Sequence, residues 1–286
     1  MLLFALLVSL SFFFGHFIAA DIEPGVLMAL RFALASLMLW GLLWWLGVRP
    51  VWARFWRFAL IGALMAIYFI TMFEALGRTT AVSTAAVFTL TPLMAAGYGW
   101  LILRQTTGPW VFSALLIGAI GAVWVIFRAD LAALMRFEIG AGEAIFFFGA
   151  LAHAAVPALL RRYCQDVSPL QSSFGTTLGA LLVTLVYAAP EAVVTAFAEL
   201  PARVWWVLAY LAIVTTALTF FLLQYASKRL PPAKVMAYTY LVPSWVVLWE
   251  ISAGRWPAAL ILLGVAATLV ALFMLLRAEA PARKTL

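Results

Sequence analysis

Ten runs of about 20 apolar residues, separated by short turns, leave this chain few ways to fold. They cover roughly residues 2–20, 25–47, 57–76, 80–103, 110–127, 142–161, 169–189, 204–226, 233–253 and 257–276. A run of that length spans the ~30 Å hydrocarbon layer of a bilayer, where no water is present to bond a free amide or carbonyl. A helix satisfies its own backbone there, so the pattern predicts an all-α integral membrane protein of ten transmembrane helices. A soluble reading fails on composition. Hydrophobic residues make up 67% of the chain and charged residues 10%, against about 45–50% and 25% in soluble domains. The turns carry helix breakers and charges, as in Asp21-Ile22-Glu23-Pro24-Gly25, Arg49-Pro50 and Pro231-Pro232. No stretch is long enough for a separate soluble domain, and the linkers 128–141 and 190–203 have room only for short interfacial helices. The first run lacks a basic leader and a small-x-small cleavage site, so it reads as a membrane helix rather than a signal peptide.

The chain also echoes itself at an offset of 151, with Phe69/Phe220, Ala75/Ala226, Arg78/Arg229, Ala86/Ala237, Leu90/Leu241, Pro92/Pro243 and Arg104/Arg255 in register. This predicts two five-helix repeats, residues 1–130 and 131–286, in one membrane domain. Five crossings are an odd number, so the second repeat enters the bilayer from the opposite face. Two inverted repeats around a central cavity are the architecture of many transporters that open one site to either side in turn.

The +7 net charge is distributed as membrane topology rather than as a nucleic-acid stripe. With the N-terminus inside, Arg49, Arg54, Arg57, Arg104, Arg161, Arg162, Lys228, Arg229, Lys234, Arg277, Arg283 and Lys284 fall on the inner side. Arg78, Arg128, Arg136, Arg203 and Arg255 fall outside, together with the acids Asp21, Glu23, Asp130, Glu138, Glu191 and Glu199. The positive-inside rule then places both termini in the cytoplasm. Cys164 is the single cysteine, which excludes an intramolecular disulfide.

Few ionisable groups lie within the runs: His16, Arg31, Glu74, His153 and Glu250, with Glu143 at a helix edge. Each is costly in hydrocarbon and should face protein, water or a partner. Arg31 can grip a carboxylate through two nitrogens, or pair with Glu74 or helix-end carbonyls. His153 can contact substrate, relay a proton or bond a neighbouring helix. Pro92 and Pro243 stand mid-run, where each is expected to free a carbonyl and bend its helix. Thr91 and Tyr240, beside them, are cavity candidates. Tyr68, Tyr210 and Gln224 offer polar contacts to a small ligand or interhelical hydrogen bonds, while Trp100 and Trp249 read as interfacial belt residues. Hydrolase, zinc-protease, P-loop and dinucleotide motifs are absent. The three aspartates, Asp21, Asp130 and Asp166, all lie in loops, which excludes an intramembrane aspartyl protease. Nothing in the sequence calls for a metal or cofactor.

The order of these features resembles the EamA-type family of the drug/metabolite transporter superfamily, and within it the YddG-like aromatic amino acid exporters. The likeness is carried by Phe14-Gly15-x-Phe17, Ala29-Leu30-Arg31-Phe32, Ala75-Leu76 and Leu90-x-Pro92. The second half adds Ala226, Leu241-x-Pro243 and Leu263-Gly264. Two departures stand out: Phe14 replaces the family's usual tryptophan, and Leu103-Arg104-Gln105 replaces a Leu-Gly-Glu. The resemblance implies a multi-pass protein of the bacterial cytoplasmic membrane that exports amino acids, aromatic ones included, as a monomer in the lipid bilayer. Alternative cargoes within the superfamily are drugs, polyamines and nucleotide sugars. A lipid scramblase or a membrane-embedded enzyme are readings from other classes.

Overall fold

The computed structural model describes residues 1–127, 129–136 and 139–277; Arg128, Glu138, Arg283 and Lys284, counted above, lie outside them. Among the described residues the chain is helical throughout, with α1 (Leu2–Ile18), α2 (Pro24–Trp45), α3 (Trp56–Leu76), α4 (Ala81–Phe88), α5 (Thr91–Leu103) and α6 (Pro109–Ile126) in the first half. The short α7 (Leu131–Met135) leads to α8 (Ala141–Tyr163), α9 (Pro169–Val194), α10 (Ala202–Ala212), α11 (Thr219–Ser227), α12 (Pro232–Ala237), α13 (Val242–Ser252) and α14 (Ile261–Arg277). Among the described residues seven spans are long and apolar enough to cross a membrane: α2, α3, Ala81–Leu103, α6, α8, α9 and Ala202–Ser227. Helices α1 and α14 are apolar but shorter, at 17 residues each. The 128–141 linker holds α7 as expected, whereas α9 runs through Pro190 as far as Val194 and takes over part of the second linker.

The two prolines sit differently from the mid-helix kinks expected of them. Phe88 ends α4, and Pro92 falls in the first turn of α5. Likewise Ala237 ends α12, a 3₁₀ turn covers Tyr238–Leu241, and Pro243 falls in the first turn of α13. The reason is steric: a proline ring clashes with the carbonyl four residues earlier but suits the start of a helix, where no amide donor is needed. The helix therefore breaks before the proline instead of bending around it. The carbonyl that Pro92 leaves without its partner belongs to Phe88, and the Thr91 hydroxyl donates to it at 2.7 Å.

Equivalent helices of the two halves run antiparallel. Near the start of α6, Trp110 donates its indole N–H to Met274 O near the end of α14; near the other end, Trp124 donates to Leu260 O just ahead of α14. The proline breaks meet in the same sense, Thr91 against Thr239 at 3.2 Å. So do α2 and α9: Gly25 faces Tyr187 and Ala188, while Arg49 O at the far end accepts from Gln171. An inverted repeat requires this antiparallel arrangement.

Lipid is as apolar as a leucine core, so helices in a bilayer are held by close van der Waals approach more than by expulsion of water. Small residues provide that approach here. A Cβ at Gly62 would lie 2.4 Å from Ala180 N, and one at Gly121 would lie 2.6 Å from Gly264 O. The lipid-facing exterior carries Trp44, Trp45, Trp206 and Trp256, all more than three-quarters exposed. Trp100 is exposed as expected of a belt residue, but Trp249 is half-buried and donates to Ser9 Oγ at 3.0 Å. We predict that Gly62→Ala and Gly121→Ala each lower the apparent melting temperature in detergent, at a cost of about 1–3 kcal/mol for overpacking. Gly41→Ala, with nothing within 4 Å of the added methyl, should match the parent.

Candidate functional site

Four spans converge on a small cavity between the halves. Phe4, Val8 and Ser11 of α1 and Met65, Tyr68 and Phe69 of α3 line it from the first half. The second half supplies His153 of α8 together with Thr215, Thr219, Phe220 and Leu223 of the α10–α11 span. Phe69 and Phe220, matched across the repeat, stack on each other here with centroids 6.1 Å apart and planes 22° from parallel. The cavity holds about 10 Å³, room for roughly one water. The structure is therefore closed around its centre.

The α10–α11 span is not a continuous α-helix. Ile213–Leu218 forms a π-helical turn, a distortion that shifts the carbonyl ladder and is frequent at functional sites. Threonines stabilise it locally. Thr215 and Thr216 both donate to Leu211 O, at 3.0 and 2.9 Å, and Thr219 donates to Thr215 O at 2.7 Å.

Arg31, on α2 of the opposite half and fully buried, reaches this turn. Its Nε donates to Thr216 Oγ1 at 2.5 Å, and its Nη2 donates to Thr215 Oγ1 at 3.0 Å and to Thr215 O at 3.2 Å. The guanidinium lies 4.1 Å above the ring centre of Phe69, which adds a cation–π contact. Its Nη1 is buried without a hydrogen-bond partner. Among the described residues no carboxylate forms an ion pair with Arg31. Glu74 instead pairs with Arg78, and Glu250 with Arg255. The reading of Arg31 as Glu74's partner is thus replaced by one in which it binds a π-turn.

His153 lines the cavity with its ring 4.3 Å from that of Tyr68 and 5.2 Å from Phe88, and its Nδ1 is buried without a partner. The structure therefore brings Tyr68 and His153 together at the cavity and sets Arg31 directly behind Phe69 and Thr215. It places the other candidates elsewhere. Thr91 caps Phe88 O and meets Thr239. Gln224 spans Ser172 and Thr176 of α9. Tyr210 packs edge-on against Phe14. Tyr240 turns toward α6, donating to Leu115 O at 3.3 Å across the groove left by Gly118. The sequence does not single out Ser11, Thr215 or Thr219, and it marks Phe220 only through its match to Phe69. The available signal for the threonines was their clustering at 215, 216 and 219 in the middle of an apolar run, a spacing that places hydroxyls on one side of a helix.

A model of the EamA-like transporter family matches residues 1–127 and again residues 140–277. The chain belongs to the EamA-like transporter family. Two further likenesses agree with this. An uncharacterized transporter of Bacillus subtilis (strain 168), YyaM, is 23% identical over 182 residues, which cover 64% of this chain and 60% of that protein. A solved structure described only as the crystal structure of a protein superposes with a TM-score of 0.69 at 18% identity, over 95% of this chain and 93% of that one; it supports the fold. In this EamA-family chain the closed cavity, the π-turn and Arg31 lie where the two matched segments meet.

The Arg31 cluster yields a direct test. Thr216→Val removes the acceptor of Nε and leaves a buried donor unpaired, which should lower stability by about 1–3 kcal/mol. Thr216→Ser keeps the hydroxyl and should stay close to the parent. Melting curves of the purified protein in detergent compare the two.

Proposed function

We propose that the chain is a secondary transporter that exports small zwitterionic metabolites, amino acids and aromatic ones among them, by alternating access. The observation that carries this reading is the composition of the central cavity. Aromatic faces from Tyr68, Phe69 and Phe220 suit a flat apolar side chain. Ser11, Thr215, Thr219 and His153 offer hydrogen bonds. Arg31, with one buried and uncommitted nitrogen, supplies the positive field a carboxylate needs. A cationic cargo is disfavoured because among the described residues no Asp or Glu lines this cavity, and Glu74 and Glu250 are engaged by arginines. The cavity's closure corresponds to an occluded stage of the cycle, from which either face opens by relative motion of the two halves.

In this reading the chain crosses the bacterial cytoplasmic membrane ten times, with both termini inside, and works as a monomer because a single chain builds the whole site. α1 and α14, at 17 residues, would each reach only about 25 Å at 1.5 Å per residue. They cross with help from flanking turns and local thinning of the bilayer.

Uptake into proteoliposomes tests the proposal, using labelled aromatic and aliphatic amino acids, a polyamine, a nucleotide sugar and a fluorescent lipid, with and without a pH gradient. Amino acids should move faster than the other classes; lipid flipping without amino acid movement would assign the protein to scrambling instead. In the same assay Arg31→Gln should slow carboxylated substrates at least tenfold more than their amides, the ratio that about 1.4 kcal/mol of differential binding gives. An equal loss for both would leave Arg31 a purely structural role.

A further inference from the structure

Two ion pairs outside the cavity repeat the internal symmetry in a way the offset of 151 does not reveal. The turn ahead of α2 reads Asp21-Ile22-Glu23-Pro24 and the turn ahead of α9 reads Asp166-Val167-Ser168-Pro169. In each, the aspartate stands three residues before the proline that opens the helix, and Ile22 and Val167 are both buried. Asp21 accepts two hydrogen bonds from Arg203, at 2.8 Å from Nε and 2.6 Å from Nη2. Asp166 accepts from Arg57 Nη1, at 2.8 and 2.9 Å to its two oxygens. Arg57 is the second residue of α3 and Arg203 the second residue of α10, the helices that open the third span of each half. Each pair therefore ties the turn after the first long helix of one half, α1 or α8, to the start of the third span of the other.

The pairs sit at opposite ends of the molecule. Because α2 and α9 are antiparallel, the turn that opens α2 lies at the end of the bundle where α9 finishes, and the turn that opens α9 lies at the other end. The cavity lined by Tyr68, His153 and Phe220 lies between these ends, and both ion pairs are made while it is closed. The two aspartates are held below the ordinary carboxylate range chiefly by the hydrogen bonds from their arginines, so both stay ionised at neutral pH.

We infer that Asp21–Arg203 and Asp166–Arg57 are the latches of the two gates, one at each membrane face, and that they open in alternation. The inference rests on the alternating-access reading given above. Relating the latches by the internal symmetry makes the two openings equivalent motions: what separates Asp21 from Arg203 when one face opens is repeated at Asp166 and Arg57 when the other does. The latches are not identical in depth. The arginine is the buried member at the Arg57 pair and the aspartate at the Arg203 pair, where the Arg203 side chain is 63% exposed against 13% for Asp21. Arg57 also donates from the same Nη1 to Tyr163 O at 2.8 Å, whereas Arg203 grips Asp21 with two nitrogens.

Access to the cavity can be read without knowing the substrate. In a Cys164→Ala background, Ser11→Cys places one thiol on the cavity wall, and a membrane-impermeant thiol reagent is applied to intact cells and to inverted membrane vesicles. The parent should label slowly from both faces. Asp21→Asn, or Arg203→Gln on its exposed side chain, should speed labelling about three- to fivefold from one face only, the range a partly exposed ion pair commands. Asp166→Asn should do the same from the other face alone. Exchanging the charges, Asp21→Arg with Arg203→Asp, should return labelling to the parental rate. Acceleration from both faces by a single variant, acceleration from the same face by both, or no acceleration by any overturns the latches while leaving alternating access standing. Labelling from one face only, in the parent and in every variant, overturns alternating access itself and the latches with it.

Discussion

The constraint on which this structure depends is that hydrocarbon offers a backbone nothing to bond. Every departure from regular α-helix within a span must therefore bring its own partners. Two departures here do so. Thr91 returns a hydrogen bond to the Phe88 carbonyl that Pro92 leaves open. The π-turn at Ile213–Leu218 is stitched by Thr215, Thr216 and Thr219, and Arg31 binds its Thr215 carbonyl from the other half. Both meet the other half, the proline break through Thr91 against Thr239 and the π-turn through Arg31.

That meeting couples local backbone chemistry to function. A helix interrupted by a proline break or a π-turn has a ready hinge, and the interrupted spans are those that bring Thr239 against Thr91 and Thr215 beside the cavity. The uninterrupted helices pack through glycines instead, Gly62 against the Gly179–Ala180 backbone and Gly121 against Gly264. The ion pairs at the two ends are made between halves rather than within them, and the cavity between them is too small for any metabolite.

Much of this was legible in the sequence. Hydropathy gave the helical class and the length of the spans, and the 151-residue echo with an odd number of runs implied the inversion that Trp110 and Trp124 display in their contacts with α14. Tyr68, His153 and Arg31 were legible as polar groups in apolar surroundings. The sequence marked Pro92 and Pro243 but not the position of the break, because proline's clash acts on the preceding turn. It also carried the Asp-(Ile/Val)-x-Pro repeat at Asp21 and Asp166, which only became conspicuous once Arg203 and Arg57 were seen to bind both copies.

What the sequence determined by itself is how many apolar segments there are, their helical state and their relation by duplication, since these follow from length, hydropathy and backbone satisfaction. Which face of each helix turns inward was decided by the tertiary structure. In a soluble helix the polar stripe announces the outside, but here lipid and protein interior are equally apolar, and a residue such as Tyr240 or Gln224 reads the same in either orientation. Contact alone sorted them: Tyr240 filled the space at Gly118, Gln224 joined Ser172 and Thr176, and the cavity was left to Tyr68, His153 and the threonines of the π-turn.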